Sequence, residues 1–220
     1  YKEDSILGGT DPYSASKAAI ENLYFSHYKT YLSNMKNITS ATARAGNVIG
    51  GGDFTNDRII PDSMKKWKNK KIAQIRNPKA IRPWQHVLEP ISGYLWLACN
   101  LKTNKYNGQS FNFGPKKSGI KNVSDLLHQM TVIWKNMKWK KTSNKIKNET
   151  NILILNCNKS NNYLKWYPVL SFKEMSKLTA SWYFKYFKDK KNIYDYTNVQ
   201  IENYIKKAKN KNILWAKNEN

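Results

Sequence analysis

"ITSATARAGNVIGGGDFTNDRIIPDSMKKWKNK", residues 38–70, decides the fold class. Its first dozen residues are β-branched or small, the composition of a buried strand, and they run into Gly50, Gly51 and Gly52. The following "DRIIPDSMKKWKNK" reads as a helix. A strand passing through a glycine loop into a helix is the building unit of α/β folds. The triple glycine does not have the G-x-G-x-x-G form of a dinucleotide fingerprint, because no such pattern opens a helix there with an acidic residue about 20 positions on. It reads either as a turn that lets backbone approach a ligand or as a flexible loop.

The same alternation continues downstream. A short strand is predicted near "IAQIR" (72–76), a loop at "NPKAIRPWQ" (77–85), and an apolar helix from about His86 to Leu101. "SFNFGP" (110–115) is a strand stopped by Gly-Pro, and "NVSDLLHQMTVIWKNM" (122–137) is a helix opened by Asn122 or Ser124. Beyond a lysine-rich connection near 138–150 come a strand at "NILILN" (151–156) and two helices around 159–168 and 171–187. Residues 190–220 show no sustained apolar period and read as a polar, peripheral tail. Trp96, Trp134, Trp166 and Trp182 lie on apolar helical faces and are expected to pack the interior.

The chain of 220 residues is 40% hydrophobic, enough for one core with a small lobe. No apolar run approaches the roughly 18 residues that span a bilayer, and no signal peptide is recognisable, so a cytoplasmic location is expected. Cys99 and Cys157 lack metal or redox spacing and suit a reducing compartment. His27, His86 and His128 are scattered, and no metal site is expected. A start at Tyr1, in a loop leading straight into a helix, reads as a fragment whose N-terminal part is missing.

The net charge of +23 invites a nucleic-acid reading, since clustered cations release counterions on meeting phosphates. All but four of the 38 basic residues are lysines strewn along the chain, and no DNA- or RNA-binding pattern accompanies them. Nucleic-acid binding is therefore not expected. The exceptions are Arg44, Arg58, Arg76 and Arg82, all within residues 44–82. A planar guanidinium fork suits carboxylate or phosphate oxygens. Ordinary surface ion pairs would account for the cluster equally simply.

Upstream, "DPYSASKAAIENLYFSHY" (11–28) is an amphipathic helix with Ile20, Leu23, Tyr24, His27, Tyr28 and Tyr31 on one stripe. Tyr13 and Lys17 fall near the N-terminal end of that stripe and are predicted to face the protein body. Four residues is about one helical turn. A phenol is a poor base at neutral pH, and an ammonium group a few ångströms away stabilises its ionised form. The pair is either proton-handling chemistry or a core tyrosine beside a surface lysine.

The wider context is more specific. "LGGTDPYSASKAAIE", "RAGNVIGGGDFTNDRIIPD", "IRNPKAIRPWQHVLEPISGYLWLA" and "FNFGP", in that order, resemble the C-terminal two-thirds of an extended short-chain dehydrogenase/reductase, the NAD-dependent epimerase/dehydratase family. The late "LKWYPVLSFKEMSKLTASWY" is similar to that family's closing segment. "RAGNVIGGGD" and "IRPWQHVLEP" point to its CDP-glucose-dehydrating branch.

This resemblance implies an α/β fold: the C-terminal part of an NAD-binding, doubly wound (Rossmann-like) sheet with a smaller α/β substrate-binding lobe. Residues 1–56 would end the NAD-binding domain, 57–189 would mainly form the nucleotide-sugar lobe, with the helix near 86–101 returning to the main domain, and 190–220 would be the tail. It implies conversion of CDP-glucose to CDP-4-keto-6-deoxyglucose with NAD, by oxidation at C4, loss of water across C5 and C6, and hydride return to C6. Tyr13 would be the catalytic base, and Lys17 would assist it and hold the nicotinamide ribose. Asn47 and Arg82 would bind the diphosphate, Arg58 and Arg76 would line the nucleotide pocket, and Asn112 would contact its far end. The glycine-rich turn and the Thr-Asp-Lys-type segment of the resembling enzymes have no counterpart here, so the fragment alone is expected to be inactive. A homodimer is implied. The alternatives are a nucleotide-sugar 4-epimerase or reductase of the same family, and a non-catalytic basic remnant binding nucleic acid.

Overall fold

Helix formation starts where a side chain satisfies the first free N–H groups. In the computed structural model, which describes residues 1–9, 11–142 and 154–217, Asp11 accepts the Tyr13 and Ser14 backbone N–H groups at 3.0 Å each. With Pro12 in the first turn it opens α1, Pro12–Thr30. Strand β1 (Thr42–Ala45) and β2 (Val48–Ile49) follow, then α2 (Ile59–Lys68), β3 (Ala73–Ile75), β4 (Ile81–Pro83), β5 (Gln85–His86) and α3 (Leu88–Asn100). The second half holds β6 (Ser110–Phe113), β7 (Ile120–Asn122), α4 (Val123–Thr131), β8 (Trp139–Lys141), α5 (Asn158–Tyr163), α6 (Phe172–Lys188) and α7 (Ile193–Asn210).

The strands pair in twos. β1 lies parallel to β6 with Arg44 opposite Asn112, β2 parallel to β5, β3 parallel to β8, and β4 antiparallel to β7 with Arg82 opposite Lys121. The mixed helix–strand order confirms the α/β expectation. Three predicted elements are shorter than their patterns: the strand at 38–49 splits into β1 and β2, the helix at 122–137 ends at Thr131, and the helix at 159–168 ends at Tyr163; the predicted loop at 77–85 instead holds β4 and the start of β5. Asn122 is the cap of α4, accepting the Asp125 N–H at 2.8 Å. Half of the predicted strand at 151–156 lies outside the described residues, and the described half, 154–156, forms no strand. Asn156 and Ile154 bond the backbone of Tyr1, with both contacts at 2.8 Å.

Apolar side chains gather in three clusters. In one, Met64 and Trp67 of α2 meet Leu126, Leu127 and Met130 of α4 and Tyr183 of α6. In the second, Phe111 and Phe113 of β6 pack with Leu97 and Trp166, the Trp166 ring standing edge-on to Phe113 at 5.0 Å. The third joins Val169 to Tyr204, Ala208 and Ala216. Trp134, Trp166 and Trp182 are buried as expected, and Trp96 is half-buried, donating its indole N–H to the Leu164 carbonyl at 2.7 Å.

Two sequence expectations fail here. Residues 190–220 are not a peripheral tail: α7 is an 18-residue helix that buries Gln200, Tyr204 and Ala208. The buried line recurs every four residues but contains one polar and one small side chain, so no apolar period marks it. The buried stripe of α1 is also displaced. Glu21 meets Thr42 and Arg44 of β1, Tyr24 bonds Ser40 just before it, and the Tyr28 ring fills the space where Gly108 lacks a Cβ. Ile20 and Leu23 are 59% and 70% exposed. A charged pair selected the face, and apolar periodicity does not register charge.

Candidate active site

Tyr13 and Lys17 occupy the first two turns of α1, just past its Asp11 cap. The Lys17 ammonium lies 5.7 Å from the centre of the Tyr13 ring, so one helical turn does bring them together. Tyr13 is 65% exposed and Lys17 is exposed as well. This corrects the expectation that they face the protein body. It also removes the core-tyrosine reading, since a packed phenol would be enclosed. Asp11 accepts from the Ser14 hydroxyl as well as from two backbone N–H groups, and these donors hold its carboxyl below the ordinary range.

The helix that carries the pair is locked to the sheet by Arg44. Its Nε and Nη2 donate to Glu21 Oε1 and Oε2 at 2.9 and 3.0 Å, a two-pronged pair, while Nη1 donates to the Glu3 carbonyl at 3.1 Å. Arg44 is thus an internal brace, separated in role from the other three arginines. Burial is the largest influence on the Glu21 carboxyl and pushes it up, but the Arg44 fork and the Thr42 hydroxyl outweigh it and hold the group below 4.5. A carboxyl lowered by folding stabilises the protein above its unfolded value, and that contribution disappears as pH falls through the lowered folded value. Glu21→Gln is therefore expected to melt at a lower temperature than the parent at pH 7. The gap should close as pH drops below 4.5, which thermal melts across pH 3–7 will read.

Asn47 sits half-buried between β1 and β2, its carbonyl accepting the Gln85 N–H at 3.0 Å. The adjacent glycine loop does not use its freedom to admit a ligand. A Cβ at Gly51 would overlap the Trp182 ring, and one at Gly50 would press on the Val87 side chain. Asp53 accepts the Tyr183 hydroxyl at its carbonyl, and Phe54 packs against Tyr183 and Tyr186 with ring centres 5.8 and 4.9 Å away. The loop is clamped to α6, so both sequence readings of it give way to a packing role.

Arg82 is half-buried on β4, with Nη1 donating to the Ile81 carbonyl at 3.0 Å. Arg58 is exposed at the N-terminus of α2, and Arg76 is exposed just past β3. Asn112 is fully buried, donating Nδ2 to the Asn156 carbonyl at 3.1 Å and to the Tyr1 carbonyl at 3.4 Å. Its backbone N–H meets Glu3 at 2.8 Å, so the first residues of the chain cover it. A ligand reaching Asn112 would have to displace them. Sequence reasoning singled out neither Glu21 nor Glu3. The only signal for Glu21 was its place one helical turn beyond Lys17.

His86 is buried, and desolvation pushes its imidazole down to about 4, so it is neutral at pH 7. Among the described residues no group of three or more His, Cys, Asp or Glu is placed to hold a metal. Both cysteines are free, and burial drives the Cys157 thiol up to about 12, too high for a reactive thiolate. No helix among the described residues is long and apolar enough to cross a membrane.

Over 191 residues the chain is 38% identical to the CDP-glucose 4,6-dehydratase of Salmonella typhimurium, covering 83% of this chain and 53% of that protein. The chain thus spans about half the length of that relative. A dTDP-glucose 4,6-dehydratase from Bacillus anthracis, solved with NAD, superposes with a TM-score of 0.68 at 21% identity, over 88% of this chain and 58% of its own. A UDP-glucose 4-epimerase from Thermotoga maritima, solved with UDP-glucose, gives 0.67 at 21%, over 84% and 57%. These two establish the Rossmann-like α/β fold. Residues 2–114, which include α1, β1 and β6, match the NAD dependent epimerase/dehydratase family, and the chain belongs to it.

Proposed function

We propose that the intact protein is an NAD-dependent lyase that converts CDP-glucose to CDP-4-keto-6-deoxyglucose. The 38% identity to a CDP-glucose 4,6-dehydratase carries this reading, and the exposed Tyr13–Lys17 pair supports it. Tyr13 takes the proton of the sugar 4-hydroxyl. Lys17 holds the phenol oxygen's negative charge and the nicotinamide ribose; both side chains are exposed on the same helix end, which leaves room for a ribose beside them. NAD held beside Lys17 would supply the hydride acceptor for C4 and the hydride donor for C6, and would not be consumed. Asn47 and Arg82 bind the diphosphate, with Arg58 and Arg76 toward the nucleotide; Asn112 meets its far end once residues 1–3, which cover it, move aside. The N-terminal residues would then belong to the NAD-binding domain and residues 57–189 mainly to the substrate lobe.

Incubation of the intact protein with CDP-glucose and NAD should yield the 4-keto-6-deoxy product, seen by NMR. A 4-epimerised CDP-hexose instead would assign the epimerase reading, and no turnover of any CDP-hexose would end the proposal. Arg82→Ala should raise KM for CDP-glucose by about 10- to 100-fold, the effect of losing one charge-assisted contact. A homodimer through α1 goes with this reading, since Ile20, Leu23 and Tyr31 are exposed on it, and so does a cytoplasmic location. Sedimentation of the intact protein tests the dimer.

A further inference from the structure

Glu89, in the first turn of α3, is only 2% exposed, and nothing in the proposed chemistry uses it. The Val169 N–H lies 3.0 Å from both its oxygens, the Leu170 N–H donates to Oε1 at 2.7 Å, and the Tyr204 hydroxyl of α7 donates to Oε2 at 2.8 Å. Tyr204 Oη also lies 3.1 Å from Ser92 Oγ, which accepts the Trp166 indole N–H at 3.1 Å. Lys211 fixes the other side of the same loop, donating to the Val169 carbonyl at 2.5 Å. Three hydrogen bonds thus converge on two oxygens; burial pushes the carboxyl up from its ordinary range, while these bonds and the Lys211 charge draw it back. Burying a carboxylate is costly, and apolar packing of the same volume often stabilises at least as well. The group specifies a position more than it adds stability.

What it positions can be followed outward in both directions. The segment just before Glu89 carries Arg82 and is fastened by two further side chains: Trp84 Nε1 to the Lys121 carbonyl at 2.9 Å, and Gln85 Nε2 to the Phe113 carbonyl at 3.0 Å. On the other side, residues 169–170 lead into α6, which opens with a Ser171–Glu174 capping box. α6 and α7 are bolted together by Trp182 Nε1 to Thr197 Oγ1 at 2.8 Å, by Gln200 Nε2 to the Leu178 carbonyl at 3.1 Å, and by the Lys207–Glu174 ion pair. Further along α6, Trp182 and Tyr183 clamp the Gly50–Phe54 loop.

We propose that the α6–α7 pair is a buttress that sets the two segments flanking Asn47, the Gly50–Phe54 loop and the Arg82–His86 stretch, and that Glu89 is the positioning residue pinning it in place. The consequence for substrate binding rests on the function proposed above; the structural coupling does not. Glu89→Leu keeps roughly the volume and removes both acceptor oxygens. Tyr204→Phe keeps the ring and removes one donor.

Both variants of the intact protein are to be followed by hydrogen exchange with mass spectrometry and by steady-state kinetics with CDP-glucose. In Glu89→Leu, exchange should accelerate about tenfold or more in peptides covering 50–57, 166–171 and 193–210, while peptides over β1 and β6 keep their rates. Tyr204→Phe should give the same pattern with a smaller factor. KM for CDP-glucose should rise about tenfold in Glu89→Leu with kcat changed less than about threefold. Uniform acceleration, acceleration that spares 50–57, or none at all would overturn the proposal. If the parent protein turns over no CDP-hexose, the functional reading fails while the exchange pattern still decides the buttress.

Discussion

Replacing Tyr13 with phenylalanine in the intact protein is expected to lower kcat by about 10²- to 10⁴-fold, the usual contribution of a positioned acid–base group. The substitution removes one oxygen and leaves the ring over which Lys17 lies at 5.7 Å, so α1 and its Asp11 cap should be undisturbed. Substrate affinity, measured by calorimetry with CDP-glucose, should shift by less than about threefold, because in the proposed reaction Tyr13 acts on a proton while the diphosphate contacts supply the binding. Turnover within about threefold of the parent would remove Tyr13 from the chemistry and, with it, the reading of the helix end as an active site.

The largest expected loss of stability falls on Trp67→Ala. Trp67 is 1% exposed on the inner face of α2, its ring centre is 6.2 Å from that of Trp134, and its Nε1 donates to the Lys138 carbonyl at 3.0 Å. Truncating a buried tryptophan costs about 3–5 kcal/mol through lost burial and the cavity left behind. The orphaned Lys138 carbonyl adds to this unless water reaches it. Trp67→Phe separates the two effects by keeping most of the ring and losing the hydrogen bond, and should cost markedly less. Urea denaturation of the two variants against the parent checks the order. Equal midpoints for Trp67→Ala and the parent would mean that the α2–α4–α6 cluster does not carry the lobe.

Most helices and most of the candidate site were legible because their signals are local. Asp11 before Pro12, Asn122 before α4 and Ser171 three residues before Glu174 announce helix starts by hydrogen bonds that span no more than a turn. The placement of Tyr13 over Lys17 is likewise set by the helical repeat. The misread features all depend on partners far along the chain. Arg44 resembled the other arginines until Glu21 and Glu3 were seen on it, from 23 and 41 residues away. Gly51 resembled a ligand-facing glycine until Trp182 was found filling the space beside it. α7 was missed because it docks through Tyr204 and Gln200, whose bonds reach Glu89 and Leu178.

By itself the amino-acid order determined the α/β alternation, the capped helix that pairs a phenol with an ammonium, and the family to which the motifs belong, because caps, periods and motif spacings act over a few residues. The tertiary structure alone decided which face of α1 meets the sheet, that Arg44 braces the fold through Glu21, and that the carboxyl at position 89 gathers three hydrogen bonds. Those outcomes depend on desolvation. A charged or polar group removed from water must take whatever partner the fold delivers, and the fold delivers partners from distant parts of the chain.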